Sequence, residues 1–286
     1  MNIAFIGLGV MGYPMAGFQQ RAGHNVCVYN RTTAKAQKWA DEYGGDFAET
    51  PAKASHNADV VMICVGNDDD VRSVIYGEDG VLSALVKGAT IVDHTTTSYE
   101  LAIELQQACN NKEVAFFDAP VSGGQAGAEG GVLAVMMGAT EAGLSQVRPA
   151  IEPYAKTITL MGDVGAGQMT KMVNQILIGG ILQGISEGFT LARKANLDLP
   201  KVIDAISHGA AGSWQLSNRG LNIDKAVFDY GFAIDWMCKD LGFCLDAAKS
   251  LGVELPNTQF VSDRYKELQV KGHNREDTSA LIKQFD

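Results

Sequence analysis

The feature that most constrains this chain is an alternation that occupies residues 2 to 160 and then stops. Short apolar runs rich in β-branched residues stand at Asn2–Ile6, Asn25–Tyr29, Val60–Val65, Ala89–Asp93, Val114–Asp118, Leu133–Met137 and Thr157–Leu160, with amphipathic stretches between them. Strands that alternate with helices pair in parallel, because each crossover helix returns the chain to the same end of the sheet. The pattern predicts an α/β, doubly wound Rossmann domain over residues 1–163. Beyond Gly167 the strand signals end and helical periodicity takes over, which predicts an all-helical domain over residues 164–286.

In the helical half, Met169, Met172, Val173, Ile176 and Leu177 recur at helical spacing and predict a helix from about Gln168 to Ala195. Gly180, Gly184 and Gly188 repeat along it. Glycine costs a helix about 1 kcal/mol each, so the repeat points to a second helix packed very close, within the chain or across a homodimer or homotetramer interface. The run Ile176–Ile185 is too short to span a bilayer and reads as a buried helix. Further helices are expected near Leu199–Ser207, Ile234–Ser250 and Thr258–Lys271.

A net charge of −10 argues against nucleic-acid partners, which call for a basic face. The five cysteines are odd in number and lack C-x-x-C spacing, so Cys27 and Cys64, in apolar strand-like runs, read as reduced core thiols of a cytoplasmic protein. The five histidines show no ligand spacing, and no metal site is expected. Met1-Asn2-Ile3-Ala4-Phe5 enters an apolar run without a basic leader, so neither a secretory signal nor a membrane partner is expected.

Gly7-Leu8-Gly9-Val10-Met11-Gly12 is a G-x-G-x-x-G, a weak signal alone that its context strengthens. It follows an apolar strand and opens a helix. The first glycine permits the turn, the second lets backbone approach a pyrophosphate, and the third lets helix pack on strand. The bland alternative is a glycine turn that binds nothing. An NAD enzyme places a carboxylate at the end of the second strand to bind the ribose hydroxyls. Here that position holds Asn30, followed by Arg31 and Thr32. An amide does not repel a 2′-phosphate and a guanidinium pairs with one, so NADP(H) is expected over NAD(H), with NAD(H) still possible. Thr32 also suits the N-cap of the next helix.

Three later segments complete a pattern. They are Asp118-Ala119-Pro120-Val121-Ser122-Gly123-Gly124, then Gly165-Ala166-Gly167-Gln168-Met169-Thr170-Lys171-Met172-Val173-Asn174, and finally Lys239-Asp240-Leu241-Gly242. Together with Gly7–Met15 they resemble the β-hydroxyacid dehydrogenases, over essentially the whole chain and in the right order. Read alone, Ser122-Gly123-Gly124 offers successive backbone amides to an anion or is a plain loop. Lys171 and Asn174 share a helix face, and the lysine is either solvated or functional. Lys239 and Asp240 look like a solvated pair.

The resemblance implies roles for these residues. Ser122, Gly123 and Gly124 would bind the carboxylate of a small substrate. Lys171 would exchange the proton of the reacting hydroxyl, with a pKa lowered by burial, and Asn174 would hold substrate or orient the amine. Gly66, Asn67, Val71, Thr96 and Lys239 would line the cofactor. The expected reaction moves a hydride between NADP(H) and a small 3-hydroxy or related C3–C4 acid or semialdehyde, in a cleft between the domains. An imine reductase and a non-catalytic cofactor-binding scaffold are the rivals, and the presence of Lys171 and the Ser122 loop counts against both. His94, Tyr99, Val65-Gly66 and Gln175 depart from what many members carry, which leaves the exact substrate open. Ser213-Trp214-Gln215, Phe232 and Asp235 are expected to shape its pocket.

Overall fold

The apolar runs of the first half form strands, seen in a computed structural model that describes residues 1–285. In chain order these are β1 (Asn2–Ile6), β2 (Asn25–Tyr29), β3 (Asp46–Phe47), β4 (Val60–Ile63), β5 (Thr90–Asp93), β6 (Ala115–Asp118), β7 (Val121–Ser122), β8 (Leu133–Gly138) and β9 (Ala155–Gly162). They make one sheet in the order β3-β2-β1-β4-β5-β6-β8-β7, with β9 on β8. From β3 to β6 every pairing is parallel. β8 runs antiparallel to β6 and β7, and β9 parallel to β8.

β4 and β5 are buried along their whole length, as is β1 after Asn2. A parallel sheet needs such runs because crossover helices cover both faces. From β1 the chain turns to β2 on one side, while β4 lies on the other. The carboxyl ends of β1 and β4 therefore border the crevice where doubly wound sheets bind ligands. β3 and β7, two residues each, were not expected.

The chain divides into two compact units, Met1–Lys171 and one that begins at Met172. In the second, helices span Ala166–Lys194 (which starts in the first unit), Leu199–Ser207, Trp214–Asp224, Ile234–Ser250 and Pro256–Val270, followed by a 3₁₀ segment, Thr278–Phe285. The helix Trp214–Asp224 was not anticipated. The Ser213 hydroxyl caps it by accepting from the Leu216 N–H at 3.1 Å. Gly220 lets it approach Leu199–Ser207, since a Cβ there would lie 3.2 Å from Ile203.

One expectation about the long helix needs correction. Only one face is buried, with Leu182 and Phe189 inside, whereas Val173, Leu177 and Ile181 are exposed. Along the glycine stripe, contact with another helix among the described residues is confined to its start. A Cβ at Gly184 or Gly188 would meet nothing within 4 Å, and only Gly180 has a neighbour, Asn257. Cys27 and Cys64 are half-buried, not in the core. Among the described residues no helix is long and apolar enough to cross a membrane, and no His/Cys/Asp/Glu group could hold a metal.

Candidate functional site

The turn after β1 is dictated by close approach. Gly7 has φ +100°, and a Cβ on it would lie 2.3 Å from the Cys64 carbonyl oxygen at the end of β4. A Cβ on Gly12 would come 2.1 Å from the Gly7 oxygen. Gly9 differs: nothing stands within 4 Å of its missing Cβ. The loop is thus pinned at both ends and open at its centre. The helix Gly12–Arg21 starts at Met11 without a side-chain cap; the Tyr13 N–H donates to the Gly9 carbonyl at 3.1 Å, and no side chain covers the helix end. This arrangement fits a pyrophosphate at a helix N-terminus. Leu8 is buried and Val10 exposed.

Asn30 does more than omit a carboxylate. Its Oδ1 accepts from the Leu8 N–H at 3.1 Å and its Nδ2 donates to the Thr32 carbonyl at 3.2 Å, which ties the glycine loop to the end of β2. Arg31 lies 3.5 Å from Asp70 with its side chain 89% exposed. Thr32 occupies the N-cap position of Thr33–Tyr43 but its side chain makes no cap bond. Beyond β4, Gly66 and Asn67 are partly exposed. The Asn67 side chain caps Asp68–Ile75 by accepting from the Asp70 N–H at 2.8 Å. Val71 is fully buried in the core, so it supports this helix and presents no surface of its own. Thr96 is half-buried in the loop after β5, where the Thr95 hydroxyl accepts from the Val65 N–H.

The loop between β6 and β8 carries Ser122, Gly123 and Gly124. Gly123 has φ +140° and Gly124 φ +62°, consecutive conformations that L side chains rarely adopt. A Cβ at Gly124 would meet nothing within 4 Å, which leaves room beside its backbone. Lys171 is 8% exposed, and its Nζ donates to the Val121 carbonyl at 2.9 Å. Burial and this bond rule out a solvated lysine and place the ammonium beside the residue that precedes Ser122.

Asn174, one turn further along the helix, belongs to the second unit. There its Nδ2 donates to Gln175 Oε1 at 2.7 Å, and Gln175 Nε2 donates to Asp240 Oδ2 at 2.6 Å. Asp240 also pairs with Lys239 at 3.1 Å. Asp240 is 2% exposed, so the pair is not the solvated one its sequence suggests.

Two residues that the motifs contain were given no role. Asp118, fully buried at the end of β6, accepts from the Gly165 N–H and the Gln168 N–H, both at 2.7 Å. Gln168 in turn donates to the Thr95 carbonyl at 2.7 Å and accepts from the Thr97 N–H at 3.1 Å. The signal for Asp118 was its position closing the apolar run Ala115-Phe116-Phe117, because a buried carboxylate requires donors.

His94 is buried between Ala119, whose carbonyl lies 2.6 Å from Nδ1, and the Tyr154 hydroxyl, 2.7 Å from Nε2. Burial pushes the imidazole down from 6.5 to about 4, opposed by the bond to Ala119. A histidine with a depressed folded pKa contributes stability that is complete above its unfolded value and is lost as pH falls toward the folded one. Asp93 and Asp118, pushed up by burial to about 7 and about 6, act in the opposite sense. We therefore expect the stability advantage of wild type over His94→Gln to shrink by about 2 kcal/mol between pH 7 and pH 5. Urea unfolding at the two pH values checks this, and an unchanged difference would contradict it.

A glycine turn and an open helix N-terminus at the switch point of a 3-2-1-4-5-6 sheet define the dinucleotide-binding class of oxidoreductase folds. Residues 2–162 match the family described as the NAD binding domain of 6-phosphogluconate dehydrogenase, and residues 165–285 that described as NAD-binding of NADP-dependent 3-hydroxyisobutyrate dehydrogenase. An uncharacterised oxidoreductase of Shewanella frigidimarina is 51% identical, covering 100% of this chain and 98% of its own. The 2-hydroxy-3-oxopropionate reductase of Escherichia coli is 35% identical, covering 100% and 97%. The crystal structure of a 3-hydroxyisobutyrate dehydrogenase from Salmonella typhimurium superposes with a TM-score of 0.90 at 28% identity, covering 99% of each chain. The chain belongs to the β-hydroxyacid dehydrogenase family.

Proposed function

We propose that this protein interconverts a small 3-hydroxy or related C3–C4 acid and its semialdehyde with NADP(H), Lys171 moving the proton. The observation that carries the reading is the buried Lys171 ammonium 2.9 Å from the Val121 carbonyl, next to the loop Ser122-Gly123-Gly124. When bound, the nicotinamide supplies the hydride; the residues of this chain have the remaining tasks. The amides after Ser122 would take the substrate carboxylate. Lys171 would give its proton to the oxygen of the carbonyl being reduced and recover one during oxidation. The name of the Escherichia coli relative, a reductase of a short oxo acid, is consistent with that substrate class.

Reduction of C3–C4 semialdehydes, followed by NADPH absorbance, tests the reading against uncharged aldehydes of the same length. The charged compounds are expected to have the higher kcat/KM by at least about tenfold, the worth of one charge-assisted contact. Equal rates would remove the Ser122 loop from the substrate site.

Arg31 and Asn30 support NADP(H) over NAD(H). Because Arg31 is exposed and shared with Asp70, its contact with a 2′-phosphate should be worth about 1.5 kcal/mol, the low end for a charged hydrogen bond. Arg31→Ala is expected to raise KM for NADPH roughly tenfold and leave KM for NADH nearly unchanged. Equal changes for both cofactors would refute this assignment. The exposed apolar row Val173, Leu177 and Ile181, beside the open Gly184 and Gly188, supports a homodimer or homotetramer.

A further inference from the structure

The proton-transfer role of Lys171 demands that a flexible side chain be held in one place, and its own helix is the means available. That helix, Ala166–Lys194, begins only a few residues before the lysine. Helix ends fray unless their amides find acceptors. Here the acceptor is a charged one from another strand: Asp118 Oδ1 takes the Gly165 N–H and Oδ2 the Gln168 N–H, both at 2.7 Å.

The arrangement closes a ring. Gln168 lies three residues before Lys171, whose Nζ bonds the Val121 carbonyl, and Asp118 lies three residues before Val121. Carboxylate, helix turn, lysine side chain and the stretch from Asp118 to Val121 thus form one circuit. The carboxylate has no room to shift within it. A Cβ on Gly138 would lie 2.2 Å from Oδ1, and one on Gly167 2.7 Å from Oδ2. Glycine at both positions is what lets the carboxylate sit against the helix end.

We propose that Asp118 is the positioning residue of Lys171: its carboxylate clamps the first turn of the long helix to the end of β6 and so fixes the ammonium beside the Ser122 loop. The proposal rests on the reading of Lys171 as the proton carrier. In this proposal Asp118 acts on Lys171 through the first turn of the helix, by its bonds to the Gly165 and Gln168 amides. Its carboxylate also sits within reach of the helix dipole, which favours the ionised form at this end. An amide in its place has one acceptor oxygen and sets an N–H₂ against a backbone N–H.

Asp118→Asn is expected to lower kcat at least about tenfold while the Kd for NADPH stays within about threefold of wild type. A residue that works through another loses its effect when that other is gone. In a Lys171→Ala background Asp118→Asn should therefore change the residual rate by less than about twofold. Equal loss in both backgrounds would make Asp118 a merely structural cap and overturn the proposal. The reading beneath it fails separately, through a Lys171→Ala enzyme of near wild-type rate. If Lys171→Ala is inactive and Asp118→Asn turns over like wild type, the positioning role alone falls. Amide hydrogen exchange on the wild type covers the case in which Asp118→Asn does not fold. The Gly165 and Gln168 amides should exchange as slowly as those of the central strands, and exchange at the rate of open chain would overturn the clamp.

Discussion

Lys171→Ala is expected to lower kcat by at least about 100-fold while NADPH binding stays near the wild-type value. A positioned general acid contributes about that factor or more, and the glycine loop that would hold the phosphates lies on other elements, between β1 and the helix Gly12–Arg21. Lys171→Arg should not restore the rate. The guanidinium keeps its proton near neutral pH, and its planar fork does not reproduce a single ammonium beside Val121. Stopped-flow and steady-state rates on the same preparations separate binding from turnover. A folded Lys171→Ala protein that binds NADPH and retains more than a tenth of wild-type kcat would show that another group donates the proton.

The second large effect is on stability, and it lies in the helical unit. Asp277, fully buried, accepts from Arg219 Nε at 2.8 Å and Nη2 at 2.9 Å, and from the Phe232 and Ser279 N–H groups, each at 2.9 Å. Arg219 also donates to Gln215 at 2.9 Å and lies 5.1 Å from the Trp214 ring centroid. One carboxylate thereby ties the helix Trp214–Asp224 to the turn at Phe232 and the 3₁₀ segment Thr278–Phe285. Asp277→Ala would strand a buried guanidinium, the buried Ser279 amide and the half-buried Phe232 amide, a loss of about 3–5 kcal/mol. Urea unfolding followed by the fluorescence of Trp214 and Trp236 measures it. Replacing both charges, in Arg219→Met with Asp277→Leu, should recover much of the loss, because the pair also carries a desolvation cost. A loss below about 1 kcal/mol for Asp277→Ala would mean that water or another anion takes its place.

That same pair explains where the sequence was hard to read. In Trp214–Asp224 the buried positions are Gln215, Leu216, Arg219, Gly220 and Ile223, so polar Gln215 and Arg219 interrupt the inward face and obscure the helical period. Its partner, Asp277, stands 58 residues away. The same distance effect hid the buried state of Asp240, whose amide partner Gln175 is 65 residues upstream. By contrast, β1 and β2 have the boundaries their apolar runs imply, since strands inside a parallel sheet leave little room for polar interruption. β3 and β7 are too short to carry any period. The candidate site was legible where backbone geometry demands glycine, at Gly7, Gly12, Gly123 and Gly124. It was illegible where a buried side chain ties two elements together, as Gln168 and Asp118 do.

The exposed face of the long helix marks the remaining mismatch. The run from Ile176 to Ile185 is apolar except at Gln183, yet the chain buries only the side that carries Gly179, Leu182 and Gln183. A sequence reports how apolar a face is and not which molecule covers it.

Transfer of a labelled hydride tests the central claim most directly. NADPH deuterated at the transferable position is incubated with a C3–C4 semialdehyde, and the product is read by mass spectrometry and NMR. The proposed function predicts one deuterium on the carbinol carbon for each nicotinamide oxidised, and almost no labelled product with Lys171→Ala in the same time. Bound NADPH that stays reduced in the presence of every carboxylate-bearing semialdehyde would contradict it.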